Sequence, residues 1–452
     1  MTVFAHGIVG RADLPIPVEL FVVGAAVVLV VSFLALAAGW SRPRLERVPE
    51  LSLVRIPLAV EVLLGAVGVG AFAVTVYAGI AGTSNQQDNL APWAVYVAFW
   101  IGVPFVTLLF GDVFRLLSPW RAVGRLTGWI AARVAGDGLP EPLPYPDRLG
   151  HWPAAAGILG FTICELTWAA ATDPAPLAVL MLVYVAIQFV GMSLYGVEPW
   201  TRRGDAFGVW FGLLALLAPV GRRPDGRLVL RPPAVSATRL TAVTGTTALL
   251  LVAIGSTGFD GAKEGPLFND IVTDLQDAFT GLGASKGFGL ELAFVVGLAI
   301  SIAVVAAIWV AGVFGMPRAG LRLTRRELGR RFVHTLVPIA AAYLVAHYFS
   351  ALAYNGQDLV RLASDPLGDG SDLFGGADAR IAYSVVSATA IWWVQVGALV
   401  FGHVAALVLA HDRALVVYGS PRAATRSQVV MLIVMVMFTT LGLWLLSEAL
   451  NL

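Results

Sequence analysis

Charge is what this chain has least of. Asp, Glu, Lys and Arg make up 13% of 452 residues, against 58% hydrophobic residues. A soluble domain carries about 25% charged residues. So little polar surface cannot face water all round, and the solvent must be largely lipid. Lysine is scarcer still, with only Lys263 and Lys286 beside 28 arginines. Together with abundant Ala, Gly and Val, that bias fits a GC-rich bacterial genome. The single cysteine, Cys164, excludes an intrachain disulfide and leaves the redox compartment open. Also missing are a phosphate-cradling loop ending in Lys-Ser/Thr, an HExxH pair and a CxxC pair. Strand-like alternation is missing too, so GxGxxG has no strand to follow. The near-zero net charge says nothing about partners, and nucleic-acid binding has no support because membrane topology explains the arginines. The opening MTVFAHGIVGRADLPIP lacks a basic n-region, so the first apolar run is expected to stay rather than be cleaved.

Long apolar runs are what the chain does have. A helix crossing about 30 Å of hydrocarbon needs roughly 20 apolar residues. Ten runs qualify, near 18–40, 56–80, 92–112, 152–171, 175–196, 237–256, 287–314, 333–354, 381–409 and 428–449. Segments 41–55, 113–151, 197–239, 316–332 and 411–427 hold 25 of the 30 Arg and Lys residues. The alternate segments hold only Arg11, Lys263, Lys286, Arg361 and Arg380. The positive-inside rule then puts the arginine-rich loops in the cytoplasm and both termini outside. The expected fold class is an all-α, polytopic membrane helix bundle of about ten transmembrane helices. It forms one integral-membrane domain over 1–452, placed in a bacterial inner (plasma) membrane with the lipid bilayer as its partner.

Two features interrupt this plan. AFGVWFGLLALLAPV, 206–220, is too short to cross and reads as an interfacial or re-entrant helix, with a polar hairpin after it. SPWRAVGRLTGW and EPWTRRGDAFGVW share Pro-Trp followed by Gly at four and eight residues: Pro119, Trp120, Gly124, Gly128 and Pro199, Trp200, Gly204, Gly208. They read as two interfacial cytoplasmic helices with Trp at the headgroup level. The echo admits a weak internal duplication over 56–220.

Polar residues inside spans are costly in lipid and therefore become candidates. His347 lies about 21 Å and Glu165 about 20 Å along spans that enter from the cytoplasm, so both sit at one level in the outer third. Tyr343, His347, Ser350 and Tyr354 form one helical stripe. Outer segments add Asp88 and Asn89, then Asp260, Lys263 and Glu264 in FDGAKE, then Asn355 and Asp358 in YNGQD, and His6. FDG is itself a turn signal, which would place Asp260 just past a span. Three readings stay open for Glu165 and His347. One is a buried pair that fixes packing. Another is a divalent metal site of His347, Glu165 and Asp260 or Asp88 with an open water position. The third is a relay for protons or a solute. Nearer the inner face, His334, His403 and His411, with Gln395, could hold haem or metal. Glu61 and Asp112 are expected to pair with loop arginines. Trp392 and Trp393 are expected to pack.

The opening AHGIVGRADLPIPVELFVVGAAVVLVVSFLAL, the stretch STGFDG and TLVPIAAAYLVAHYFSALAYNGQD resemble bacterial integral-membrane proteins of the fenitrothion hydrolase family, along most of the chain. The resemblance implies cleavage of hydrophobic, organophosphate-type esters, with His6, Asp260, His347, Asn355 and Asp358 on the matching motifs. Some related proteins carry a histidine where this chain has Leu344, which weakens a two-histidine metal site. A hydrolase would use Glu165, His347 and Asp260 as ligands or base, and Asn355 and Asn89 as donors to developing charge. The same residues would serve a transporter or channel for a small hydrophobic or ionic solute or a metal ion. A membrane subunit of a redox or metal-handling assembly, using the inner histidines, is the third alternative.

Overall fold

The structure, a computed structural model, describes residues 18–135, 140–223, 225–318 and 321–450. It is mostly helical. The principal helices are α1 (Val18–Gly39), α2 (Leu58–Ala81), α3 (Leu90–Phe110), α4 (Pro119–Ala135), α5 (Trp152–Thr167), α6 (Pro174–Tyr195), α7 (Val197–Arg203), α8 (Ala206–Leu214), α9 (Thr246–Ala262), α10 (Pro266–Gly281), α11 (Lys286–Gly315), α12 (Arg325–Phe332), α13 (Leu336–Ser364), α14 (Ala388–Tyr418) and α15 (Pro421–Leu450). Seven stretches are long and apolar enough to cross a membrane: α2, α3, α6, α11, α12 with α13, α14, and α15 as far as Trp444. Val190, Leu63, Phe314 and Phe401 on these helices are more than half exposed. Apolar faces of that extent are stable only against lipid, so the chain is a multi-pass membrane protein.

The core forms around α13, whose first turns from Leu336 to Leu344 are buried on every side. It packs against α14, α9 and α3. Most of α9 is buried as well, and Gly255 is its contact with α11. A Cβ there would lie 2.7 Å from the Ile302 backbone, and Ser301 Oγ donates to the Gly255 carbonyl at 2.8 Å. The middle of α3, Trp93–Gly102, is a π-helix, a widened turn that no apolar pattern announces.

The arginine-rich end is held by carboxylates. Glu50 gathers Arg223, Arg231 and Arg239, and Glu61 takes Arg222 and Arg125, as the sequence suggests for Glu61. A small sheet lies here: β1 (Leu51–Arg55), β2 (Val220–Arg222) and β3 (Arg227–Leu230), in the order β1-β3-β2 and antiparallel, with Leu230 opposite both Leu51 and Val220. The hairpin expected after the short apolar stretch is thus present, and the 51–55 segment adds a third strand to it.

Several boundaries move. The run at 237–256 begins too early: Val235–Arg239 is a 3-10 turn tied to Glu50 through Arg239, and the helix starts only after Gly245, whose φ is +84°. It then continues through FDG to Ala262, so FDG is not a turn. The last helices shift likewise: α14 runs to Tyr418 and takes in His411, and α13 runs to Ser364 and takes in YNGQD. Neither Asn355 nor Asp358 is therefore on a loop.

The two Pro-Trp segments differ from the expected pair. α4 fits an interfacial helix, with Leu126, Trp129, Ile130 and Val134 exposed along it. α7 is only seven residues long, and both tryptophans face protein rather than an open surface. Trp120 and Trp200 are buried, Nε1 of the first donating to Asp205 and of the second to Gln188. α8 takes the re-entrant alternative, because Phe207, Trp210, Phe211 and Leu214 are all buried within protein.

Candidate functional site

The site is built by three helices that meet near the end opposite the arginines. In the last turns of α9, Asp260 and Lys263 are three residues apart, a spacing that stacks them on one face. Lys263 Nζ lies 2.8 Å from Asp260 Oδ1, with both side chains buried. α13 supplies the partners for the other oxygen. His347 Nε2 lies 2.8 Å from Asp260 Oδ2, and the Tyr348 hydroxyl donates to the same atom at 3.0 Å. His347 is the most open member, its side chain 11% exposed. The Asp-Gly turn signal gives way here because a carboxylate with three partners holds the helical conformation.

α5 packs against α9 and brings Glu165. Both of its carboxyl oxygens are buried with no hydrogen-bond partner among the described residues. Asp260 and Lys263 are the charges that act on it. His347 therefore pairs directly with Asp260, not with Glu165, and Asp260 is the hub. The balance of charge is unusual. Asp260 and Lys263 neutralise one another, and Glu165 adds a second carboxyl without a second ammonium. A bare carboxylate taken out of water costs several kcal/mol. The arrangement is completed by a proton or a cation.

The other candidate residues go elsewhere. Asp88 bonds Arg361 at 3.1 Å and Asn85 at 2.6 Å, so it is not available as a ligand beside His347. Asp358 also pairs with Arg361, at 2.7 Å. Asn89 is a buried N-cap: its Oδ1 accepts from Ala91 N, and its Nδ2 donates to the carbonyls of Ala78 and Thr83. Every group it has is used in structure, so it cannot donate to a reacting oxygen. Asn355 lies eight residues, about 12 Å, along α13 from His347. His6 is outside the described residues. Among the described residues no three His, Cys, Asp or Glu side chains group so as to hold a metal ion, which speaks against the set His347, Glu165, Asp260 and Asp88.

The inner histidines are buried rather than interfacial. His411 spends both nitrogens, on Gln428 Oε1 at 3.2 Å and the Trp40 carbonyl at 3.0 Å. His334 faces the Leu409 carbonyl at 3.4 Å. His403 Nδ1 bonds the Leu399 carbonyl at 2.7 Å, while its Nε2 and the whole Gln395 amide are buried without partners. With His411 saturated, a pair of axial ligands is not assembled. Asp112 accepts the Arg115 backbone amide at 3.2 Å rather than a guanidinium. Trp392 and Trp393 pack on one another at 5.1 Å between rings.

One connection is illegible in the sequence. Phe161 lies one helical turn before Glu165. Its ring is 4.6 Å from Trp100 on α3 and 5.2 Å from Phe207 on α8. Phe207 contacts Phe99 at 4.7 Å and Tyr184 at 5.1 Å. The Tyr184 hydroxyl donates to buried Asp205 at 2.7 Å, and Trp120 Nε1 donates at 2.8 Å. A chain of ring contacts thus runs from the turn before Glu165 to Asp205. Beside Asp205 a cavity of about 220 Å³ lies at the arginine-rich end. No family model, curated protein or solved structure matches this chain.

Proposed function

We propose that the chain is a ten-pass protein of a bacterial inner membrane that moves a small solute coupled to proton binding at Glu165 and Asp260. In this reading α1, α5 and α9 join the seven longer apolar stretches as crossings, the arginine-rich end faces the cytoplasm, and both termini lie outside. The alternation of 25 Arg and Lys residues with five supports that orientation. One observation carries the coupling: Glu165 is buried with no partner beside a carboxylate that already has its ammonium. An ionisable group of this kind inside a membrane bundle marks an ion or proton path. Lys263 sits between the two carboxyls in charge terms, so a proton arriving on either one frees it to favour the other. The ring contacts of Phe161, Trp100 and Phe207 between this site and the cavity at the other end support a reading in which the two open in turn.

The test is reconstitution into proteoliposomes with a pH dye inside, under an imposed membrane potential. Small carboxylates, amines and divalent metal ions are added one at a time. Wild-type protein acidifies the lumen with one of these classes. Glu165→Gln, which keeps the shape and removes the titration, abolishes the signal. Equal acidification by a monodisperse Glu165→Gln protein would falsify the coupling.

Ester hydrolysis, the activity implied by the resemblance, is favoured by one feature. The Asp260–His347 pair leaves the second imidazole nitrogen, Nδ1, beside Gly261, which has no side chain to cover it. A water there could be activated as in other His-Asp pairs. Ester turnover that disappears in His347→Gln and survives in Glu165→Gln would favour this second reading over transport.

A further inference from the structure

At the arginine-rich end, the cavity beside α8 has two unlike walls. One carries Arg115, Arg121 and Arg202, and the other Val209, Leu213 and Leu216. The three guanidiniums share one carboxylate. Arg115 Nη2 and Arg121 Nη2 each lie 2.6 Å from Glu198, and Arg202 Nε lies 3.8 Å from it. Two further carboxylates line the space, but neither pairs with these arginines. Asp205 is taken up by Tyr184 and Trp120, and Asp112 by a backbone amide. Arg121 is bonded through all three of its nitrogens, Nη1 donating to the Arg115 carbonyl at 2.9 Å. Arg115 is not, because its Nε is buried with no partner. Arg202 is 60% exposed at the rim. Burial and the neighbouring positive charges hold the Arg115 guanidinium below its ordinary range, against the pull of Glu198 and Asp112, as expected where cations outnumber the anions paired with them.

We infer that this cavity binds a phosphate group, held by Arg115 and Arg202, with the apolar part of its carrier along Val209, Leu213 and Leu216. The guanidinium fork matches a phosphate oxygen pair better than a spherical anion. The apolar wall suits an acyl or similarly greasy carrier, and the arginines lie where lipid headgroups would meet the bundle. The source is a lipid headgroup or a free phosphate compound, and the two share this chemistry. The inference does not depend on what the site at Glu165 does.

The test uses the full chain in nanodiscs, with two variants. Arg115→Gln with Arg202→Gln removes the donors. Gly212→Leu fills the cavity without touching a charge, for a Cβ on Gly212 meets nothing within 4 Å. In discs of phosphatidylcholine doped with phosphatidylglycerol, native mass spectrometry is expected to show about tenfold preferential retention of phosphatidylglycerol, the worth of a charge-assisted contact. Both variants lose it. Inorganic phosphate titrated into purely zwitterionic discs reports the other source: arginine-dependent binding there supports a free phosphate ligand. The inference is overturned if neither probe binds, or if binding survives Gly212→Leu. Survival in that variant would mean surface arginines alone recruit the anion. Should the double arginine variant fail to fold, Gly212→Leu alone decides.

Discussion

Replacing Lys263 by Met tests whether the three-helix site is an ion-pair site at all. The change keeps most of the length and apolar bulk of the side chain and removes its charge. Wild type has an N···O separation of 2.8 Å with both groups buried. At an effective dielectric of about 20 that distance corresponds to roughly 6 kcal/mol of attraction. The desolvation already suffered by both ions offsets part of it, and removing one partner of a buried pair typically costs about 3–5 kcal/mol. Here His347 and Tyr348 remain as partners of Asp260 Oδ2, so the lower end, about 3 kcal/mol, is expected. Asp260→Asn should be milder, because the stranded ammonium still has Glu165 to face, whereas Lys263→Met strands two carboxyls together. The double variant Asp260→Asn, Lys263→Met should recover at least about 1.5 kcal/mol relative to the sum of the single changes. The assay is denaturant unfolding in detergent for all four proteins, followed by tryptophan fluorescence. If Lys263→Met costs no more than Asp260→Asn and the cycle shows no coupling, the charge reasoning for this site is wrong.

Two further outcomes follow from groups outside the crossing segments and from the buried cap. His151 precedes α5 and bonds Thr246 Oγ1 at 3.0 Å through Nδ1; burial, with Arg203 adding to it, presses its imidazole down to about 4. The unfolded chain takes this proton near pH 6.5 and the folded one only near 4, so this contribution is complete above about 6.5 and is lost as pH falls toward 4. The loss is on the order of 3 kcal/mol, and stability measured against pH in His151→Asn should lack that slope. Asn89→Ala removes three hydrogen bonds, one of them the N-cap of α3, at about 2–4 kcal/mol, yet it should leave any Glu165-dependent proton signal intact once the protein is folded; a lost signal would return Asn89 to the site.

The sequence displays the membrane setting plainly, because hydropathy and arginine placement depend only on residue type. It also singles out Glu165, His347 and Asp260, since ionisable groups stand out among apolar ones. What it hides is pairing. The depth argument sets Glu165 and His347 at one level but gives no angle around either helix axis, so it cannot say that Asp260 is the partner they share. Tyr348 is invisible for the same reason: a tyrosine in an apolar run looks like packing until a neighbouring helix offers a carboxylate. The shifted start of α9 is the costliest error. Val, Ala and Thr at 235–244 read as the beginning of a crossing, but Arg239 is anchored to Glu50 at the far end, and Gly245 resets the chain. Nine residues of displacement turn FDG from a loop into buried helix, and with it the nature of the site changes. The chain of aromatic rings and the α8 cavity need contacts between segments more than 40 residues apart, which no local pattern encodes.

Two of the buried aspartates, Asp205 and Asp260, are held in different ways. Asp205 stands at the N-terminal end of α8, where the helix dipole favours a negative charge, and its two oxygens are each met by a neutral donor, Tyr184 or Trp120. Burial works against those donors and presses the carboxyl up to about 6. Asp260 stands in the last turns of α9, where the same dipole opposes a negative charge and favours Lys263 one turn further on. Its stability rests on a lysine that has a second carboxyl within electrostatic reach and on the most exposed side chain of the cluster, His347. A proton arriving on Asp260 or Glu165 therefore alters the Asp260–Lys263–Glu165 balance directly, while Asp205 keeps its own two donors at the other end of the ring contacts. Because its carboxyl sits near 6, Asp205 also titrates near neutral pH, so substitutions there should disturb assembly of α8 and remove a titration near pH 6, separable from any response carried by Glu165.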